Sequence, residues 1–219
     1  MFHVLIFSGG LHPSQQDFAS FMAKTHAVDF IIAADSGLET AIEFGFEPDL
    51  IVGDMDSLKN PDILKSYNQK KIMCFSCDKD KSDTEIALDE AHKRNADFIT
   101  LCGADGGRID HLLAILKLFE GSVYPNVWLC KEQIVYSVGD KTCNRLELSD
   151  LQPTDVLSVF SIKNSGKILS TGLQWSVDEV DWQRAFSLSN RICDNYAKNS
   201  LPITLDVTLG HFLVIISYP

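Results

Sequence analysis

The chain has 219 residues, 45% of them hydrophobic, and its 30 acidic and 19 basic side chains give a formal net charge of −11. That is enough apolar surface for one large domain or two small ones and excludes a chain disordered throughout; the acidic balance excludes a general nucleic-acid binder, which needs a cationic face. Apolar runs such as 212–216 fall far short of the roughly 18 residues of a membrane helix, and the N-terminus lacks the basic start and long apolar stretch of a signal peptide, so a soluble, cytoplasmic protein is expected.

In chain order, residues 2–7 read as a buried strand running into Ser8-Gly9-Gly10, and 13–26, with Pro13 near its start, as a helix. A second strand at 28–34 stops at Asp35-Ser36-Gly37, after which Leu38, Ala41, Ile42 and Phe44 carry helical spacing as far as Gly45 and Pro48. A short strand at 50–52 ends at Gly53-Asp54-Met55-Asp56, a helix is expected from Pro61, and 71–75 forms a strand that leads into the Asp-Lys-Asp-Lys-Ser-Asp run at 78–83. Ser82 and Glu85 have the spacing of a capping box, so a helix begins at Asp83. A strand at 98–102, the loop Gly103-Ala104-Asp105-Gly106-Gly107-Arg108 and a helix from 109 to 119 complete the alternation. Such alternation predicts a Rossmann-like α/β domain over residues 1–121, a parallel sheet with helices on both faces.

From residue 122 the pattern changes. Ile203, Leu205, Val207 and Leu209 alternate with Thr204, Asp206 and Thr208, Gly210 separates them from an apolar strand at 212–217, and Gly139-Asp140 signals a hairpin turn. Further short strands are expected near Leu146, at 156–162 and at 167–170. Residues 122–219 therefore read as a second domain, an antiparallel β-sandwich.

The acids are not evenly spread. They divide into 21 Asp and 9 Glu, and 12 of the Asp lie between Asp35 and Asp110. In an open parallel sheet ligands bind beyond the carboxyl ends of the strands, and Asp35, Asp54, Asp56, Asp80, Asp83, Asp105 and Asp110 all lie in or just after the loops expected there. Asp is also a good turn residue, which suffices for any single loop but not for four loops with the same bias. Asp54 and Asp56 would point to one side if the strand geometry continued, and carboxylates gathered together repel unless a cation such as Mg²⁺ is present. The glycines of 103–108 let a backbone approach a ligand, and Arg108 can fork onto phosphate oxygens. The loop lacks the Gly-Lys-Ser/Thr ending of a Walker motif. Lys79 and Lys81, set among the acids, could pair with them or neutralise phosphate charge. Six cysteines form only one close pair, Cys74 and Cys77, with no histidines nearby to complete a zinc site. Nothing resembles a Ser-His-Asp or Cys-His nucleophile set, so the chemistry suggested is phosphoryl-type transfer by positioning and charge neutralisation.

In order and spacing, Ala34-Asp35-Ser36-Gly37, Gly53-Asp54-Met55-Asp56-Ser57, Asp78-Lys79-Asp80-Lys81-Ser82-Asp83 and Gly103 through His111 resemble the motif series of the thiamine pyrophosphokinase (thiamine diphosphokinase) family. Thr171-Gly172-Leu173-Gln174-Trp175 and Ser189-Asn190 are similar to its later signatures. The resemblance implies a homodimer with its site at the subunit interface and transfer of the β,γ-diphosphoryl group of ATP to thiamine, yielding thiamine diphosphate and AMP. It also implies Asp54, Asp56 and Asp83 as Mg²⁺ ligands and Asp35, Lys79, Lys81, Arg108 and Asp110 as ATP-site groups. Asp80 joins the catalytic set with Asp54, Asp56, Asp83, Arg108 and Asp110, with Asp80 or Asp110 the candidates to orient or deprotonate the attacking hydroxyl. Ser189 and Asn190 would hold the thiamine pyrimidine, with Trp175 near it or in the core. Met55, Ser176 and Arg191 stand where the family more often has an aromatic, a proline and an acid.

Two readings of other classes use the same residues. A metal-dependent nucleotide phosphohydrolase would employ the Asp group with water as nucleophile, and a nucleotide- or thiamine-sensing module would keep the pocket without turnover.

Overall fold

His3–Ser8 forms strand β1, and all six of its residues are buried, which is why its sequence shows no two-residue alternation. The computed structural model describes residues 1–76, 78, 80–140, 142–163 and 165–218, so Lys79 and Cys77 lie outside the described residues. One unit spans Met1–Lys131 and continues with α1 (Gln15–Met22), β2 (Phe30–Ala34), α2 (Gly37–Glu43), β3 (Leu50–Gly53), β4 (Ile72–Cys74), α3 (Asp83–Lys93), β5 (Phe98–Cys102), α4 (Ile109–Leu118) and β6 (Val127–Leu129).

All strand pairings in this unit are parallel, in the order β4-β3-β2-β1-β5-β6. Ser8 pairs with Ala34, Ala34 with Val52, Gly53 with Cys74 and Phe7 with Cys102. The carboxyl ends of β1, β2, β3 and β5 therefore finish level with one another, and the loops that follow start from one edge.

Local chemistry explains the elements that flank that edge. The capping box of α3 is present: the Glu85 amide donates to Ser82 Oγ at 3.3 Å and the Ser82 amide to Glu85 Oε2 at 2.8 Å. The helix buries Ile86, Ala87, Leu88 and Ala91 against β1, β2 and β3. Helix α2 starts so close to β1 that a Cβ on Gly37 would lie 2.2 Å from the Phe7 carbonyl oxygen. Phe18, the one buried residue of α1, stacks into Phe7, Phe44 and Phe46 with ring centroids 4.7 to 5.9 Å apart. Where a helix was expected from Pro61 there are two 3-10 turns, Pro61–Ser66 and Gln69–Lys71, neither with a buried residue. Ile63, Leu64 and Tyr67 nevertheless pack, partly buried, against the cluster of Ala33, Leu38, Ile51, Met55 and Leu58, a contact that short 3-10 turns already make.

The second unit, Glu132–Pro219, contains β7 (Gln133–Gly139), β8 (Arg145–Leu148), β9 (Val156–Ser161), β10 (Lys167–Thr171), β11 (Ser187–Arg191), α5 (Asp194–Lys198), β12 (Ile203–Leu209) and β13 (His211–Ser217). Its strands pair antiparallel as β11-β9-β13-β7 and β10-β12-β8. The alternation read in 203–209 buries Ile203, Leu205 and Val207 but leaves Leu209 exposed at the end of its strand. Asp140 has φ +52 after Gly139 at φ +93, a tight turn but not the hairpin read from the sequence: β7 pairs with β13 and β8 with β12, so the chain changes sheets here. Strand β11 and the short α5 carry no periodic signal in the sequence. The unit boundary falls at 131/132, ten residues beyond the break read at 121/122, because Val127–Leu129 pairs with β5. The chain is thus a mixed α/β protein, and no helix among the described residues is long and apolar enough to cross a membrane.

Candidate functional site

The turn after β3 is built on an unusual residue. Met55 adopts φ +64, a conformation that costs an ordinary side chain about 1–2 kcal/mol, yet it is buried with Ala33, Leu38, Ile51 and Leu58. Burying that thioether offsets the backbone cost. It also turns Met55 inward while Asp54 and Asp56 face the other way. The two carboxylates share a side through a left-handed turn, not through the continued strand geometry read from the sequence.

A third acid meets them from the neighbouring strand. Asp35, directly after β2, is buried at φ +50, and its amide donates to the Val52 carbonyl at 2.9 Å. One oxygen from each of Asp35, Asp54 and Asp56 lies within 4.8 Å of the others. The Asp56 amide donates to Asp54 Oδ1 at 3.4 Å and Ser57 Oγ to Asp56 Oδ1 at 2.9 Å. Asp35 Oδ1 is buried without a hydrogen-bond partner among the described residues, and a buried carboxylate oxygen left so is costly unless a cation compensates it. Asp83, the first residue of α3, comes over the same turn: its Oδ1 would lie 3.0 Å from a Cβ on Gly53, and Asp35 Cβ 3.2 Å. Asp83 is nevertheless outside the group of three. An all-oxygen set with one orphaned oxygen fits a hard divalent cation such as Mg²⁺ better than zinc. The sequence placed Asp35 with the nucleotide, and the available signal for its membership was that β2 and β3 end one after the other along the sheet.

The loop after β5 is held differently. A Cβ on Gly103 would lie 2.2 Å from the Ser8 carbonyl, so only glycine allows that approach. Trp128 Nε1 donates to the Gly103 carbonyl at 2.6 Å, the Ala104 amide to Gly9 at 2.8 Å and the Leu11 amide to the Asp105 carbonyl at 2.7 Å. Both carboxylate oxygens of Asp105 accept backbone amides, from Gly106 at 2.7 Å and Lys131 at 2.9 Å. At the end of the loop Arg108 forks onto Asp110 at 3.1 and 2.5 Å, with 71% and 58% of the two side chains exposed. This fork holds the Asp110 carboxyl below the usual carboxylate range and pushes the Arg108 guanidinium up. Asp110 is accordingly a weaker base than an ordinary aspartate.

Lys81 Nζ lies 2.5 Å from Asp89 Oδ2, and that hydrogen bond raises its pKa. Asp80 is exposed and lines a crevice along α3 with Phe75, Ile86 and Glu90. In the second unit Ser189 Oγ is 3.1 Å from Ser158 Oγ. The Asn190 side chain is buried, with its amide on the backbone of Trp175, and Trp175 itself lies at the surface, not in the core.

These features define an α/β protein with an acidic site at the carboxyl ends of its parallel strands, where open sheets of this kind bind ligands. Residues 21–129 match the family model described as "Thiamin pyrophosphokinase, catalytic domain", and the chain belongs to the thiamin pyrophosphokinase family. The matched segment contains Asp35, Asp54, Asp56, Asp83, Arg108 and Asp110, but not Trp175, Ser189 or Asn190. A thiamine pyrophosphokinase of Bacillus subtilis (strain 168) is 30% identical over 97 residues, which cover 44% of this chain and 45% of that protein. Thiamin pyrophosphokinase structures share the fold along the whole chain. That of Geobacillus thermodenitrificans has a TM-score of 0.72 at 23% identity, covering 100% of this chain and 98% of the other. That of Candida albicans has 0.67 at 18%, covering 100% and 89%.

Proposed function

We propose that the protein is a thiamine diphosphokinase that transfers the β,γ-diphosphoryl group of ATP to the hydroxyethyl oxygen of thiamine, giving thiamine diphosphate and AMP. The observation that carries this reading is the meeting of Asp35, Asp54 and Asp56 at one strand edge, with a buried carboxylate oxygen that has no hydrogen-bond partner among the described residues. Family membership supports the substrates. The proposed architecture is a Rossmann-like domain followed by a β-sandwich, assembled as a cytoplasmic homodimer.

Asp54 and Asp56, with Asp83 over the same turn and Asp35 beside them, would hold Mg²⁺. Bound there, the ion would draw negative charge off the triphosphate. Arg108 would keep Asp110 on its Nε and Nη2 side and offer its remaining N–H groups to phosphate oxygens, stabilising charge developing at the β-phosphoryl. Asp110, held low by Arg108, serves better to orient that guanidinium than to take a proton, which leaves Asp80 as the better candidate to receive the hydroxyl proton. Lys81, engaged with Asp89, receives no support as a phosphate ligand, and Lys79 keeps that role only by motif position. Ser189 and the exposed Trp175 are the groups proposed for thiamine.

Incubating the purified chain with ATP, Mg²⁺ and thiamine and separating the products tests the reading. Thiamine diphosphate with AMP is expected; ADP with thiamine monophosphate would overturn the diphosphoryl transfer, and nucleotide hydrolysis independent of thiamine would favour a phosphohydrolase.

A further inference from the structure

Two hydroxyls meet at the carboxyl end of β1. Ser8, the last residue of that strand, and Thr84, the second residue of α3, are 5% and 8% exposed, and their oxygens lie 2.7 Å apart. Either can donate to the other, and the bond has to be made, because a buried hydroxyl is costly without a partner. Packing a helix on a sheet does not call for such a pair. Alanine and valine would fill the two positions with no polar atom to satisfy.

The rest of α3 is held by other means. Ile86, Ala87, Leu88 and Ala91 pack it on β1, β2 and β3, and apolar contacts of that kind are not directional. The capping box of Ser82 and Glu85 closes the first turn on itself without fixing where the turn stands over the sheet. The Ser8–Thr84 bond is directional and crosses from the first turn to the central strand. Its place relates it to the acids. Ser8 pairs with Ala34 and Ala34 with Val52, and Asp35 and Gly53 are the next residues along those two neighbouring strands. Asp83, adjacent to Thr84, has its Oδ1 3.0 Å from where a Cβ on Gly53 would stand, and Asp35 Cβ is 3.2 Å from the same point. Any tilt or rotation of the first turn therefore moves Asp83 relative to Asp35, and Mg²⁺ demands near-ideal placement of its ligands.

We propose that Ser8 and Thr84 are a positioning pair: their buried hydrogen bond fixes the first turn of α3 to β1 and so sets the Asp83 carboxylate against Asp35, Asp54 and Asp56 for a divalent cation, with neither hydroxyl touching the ion or a substrate. This rests on the cation site of the thiamine diphosphokinase reading and names what holds one of its carboxylates in place.

The test is the melting temperature of the full chain over a range of Mg²⁺ concentrations, without nucleotide or thiamine. Stabilisation by a ligand sets in near its dissociation constant, so the onset concentration reports affinity for the ion. Thr84→Val keeps the branched shape and removes the hydroxyl. T84V should raise the onset about tenfold, and Thr84→Ser, which retains a hydroxyl, should leave it within about threefold of the wild-type chain. In a chain already carrying Asp83→Asn, adding T84V should move the onset by less than about twofold, because residues that act through one another are not additive. A merely structural hydrogen bond gives a different result: T84V would lower the melting temperature equally in EDTA and in Mg²⁺ with the onset unmoved, and that would overturn the proposal. So would a shift of about tenfold that persists in the D83N background, since the hydroxyls would then act on the ion by a route other than Asp83. In turnover, T84V should raise the Mg²⁺ concentration for half-maximal rate about tenfold and leave kcat at saturating Mg²⁺ within about threefold; a larger fall in kcat that added Mg²⁺ does not restore counts against the pair as well. A wild-type chain that Mg²⁺ stabilises but that makes no thiamine diphosphate would sink the enzymatic reading alone, whereas one that Mg²⁺ does not stabilise would remove the cation site and the proposal with it. If circular dichroism shows T84V unfolded, Ser8→Ala, which breaks the same hydrogen bond from the strand side, takes its place in every measurement.

Discussion

The turn after β3 and the loop after β5 leave the same sheet edge, and both are short and acidic, yet they treat their acids in opposite ways. After β5, Asp105 spends both oxygens on backbone amides and Asp110 is locked in a fork with Arg108. After β3, Asp54 and Asp56 converge with Asp35, and Asp35 Oδ1 is buried without a hydrogen-bond partner among the described residues. What separates the two loops is where the carboxylates meet: Asp35, Asp54 and Asp56 bring one oxygen each within 4.8 Å of the others, whereas Asp105 and Asp110 are each taken up by donors of the protein itself.

The largest effect should come from the converging group. Asp54→Asn is expected to lower kcat by about a hundredfold or more, the order of losing one preorganised electrostatic contact, while KM for thiamine stays within about threefold. Equal losses of both in steady-state kinetics would remove Asp54 from the metal site. Next is Arg108→Ala, expected to cost about ten- to a hundredfold in kcat while leaving the melting temperature unchanged, because an ion pair this exposed contributes little to folding. A clear drop in melting temperature would recast the Arg108–Asp110 fork as structural. Smaller again, Asp35→Asn should raise the melting temperature in EDTA by about 2–4 °C, since it removes one charge from the group and Asn tolerates a positive φ. The same substitution should shrink the stabilisation seen on adding Mg²⁺, and an unaltered Mg²⁺ response would exclude Asp35 from cation binding. The smallest change is expected for Lys81→Ala, with kcat and KM for ATP within about threefold because Lys81 is engaged with Asp89; a tenfold rise in KM would restore it to the phosphate site.

Features decided by a few neighbouring residues were legible in the sequence. The Ser82–Glu85 box starts α3 where its spacing says, and the alternation in β12 buries the three residues it should until the strand runs out at Leu209. The strand-end rule likewise brought the acids to one edge. Less legible was whatever depends on a distant partner. Strand β6 belongs with β5 through pairing across an intervening helix, and no local pattern announces it. The left-handed turn at Met55 depends on a core cluster that receives its side chain. Arg108 could be read as a phosphate ligand from its type, but its fork onto Asp110 is a rotamer outcome. Asn190 was assigned to substrate from motif position, while its burial and its hold on Trp175 follow from how two segments 15 residues apart meet.

The central place of β1 has a consequence for synthesis. Its six residues are buried and its two backbone edges pair with β2 and β5, yet they emerge from the ribosome about 95 residues before β5 does. At ordinary elongation rates the first strand waits roughly 5–20 s for its second neighbour. During that interval an apolar segment at the N-terminus has one edge open, so the nascent chain should be most dependent on chaperones before Cys102 has cleared the exit tunnel.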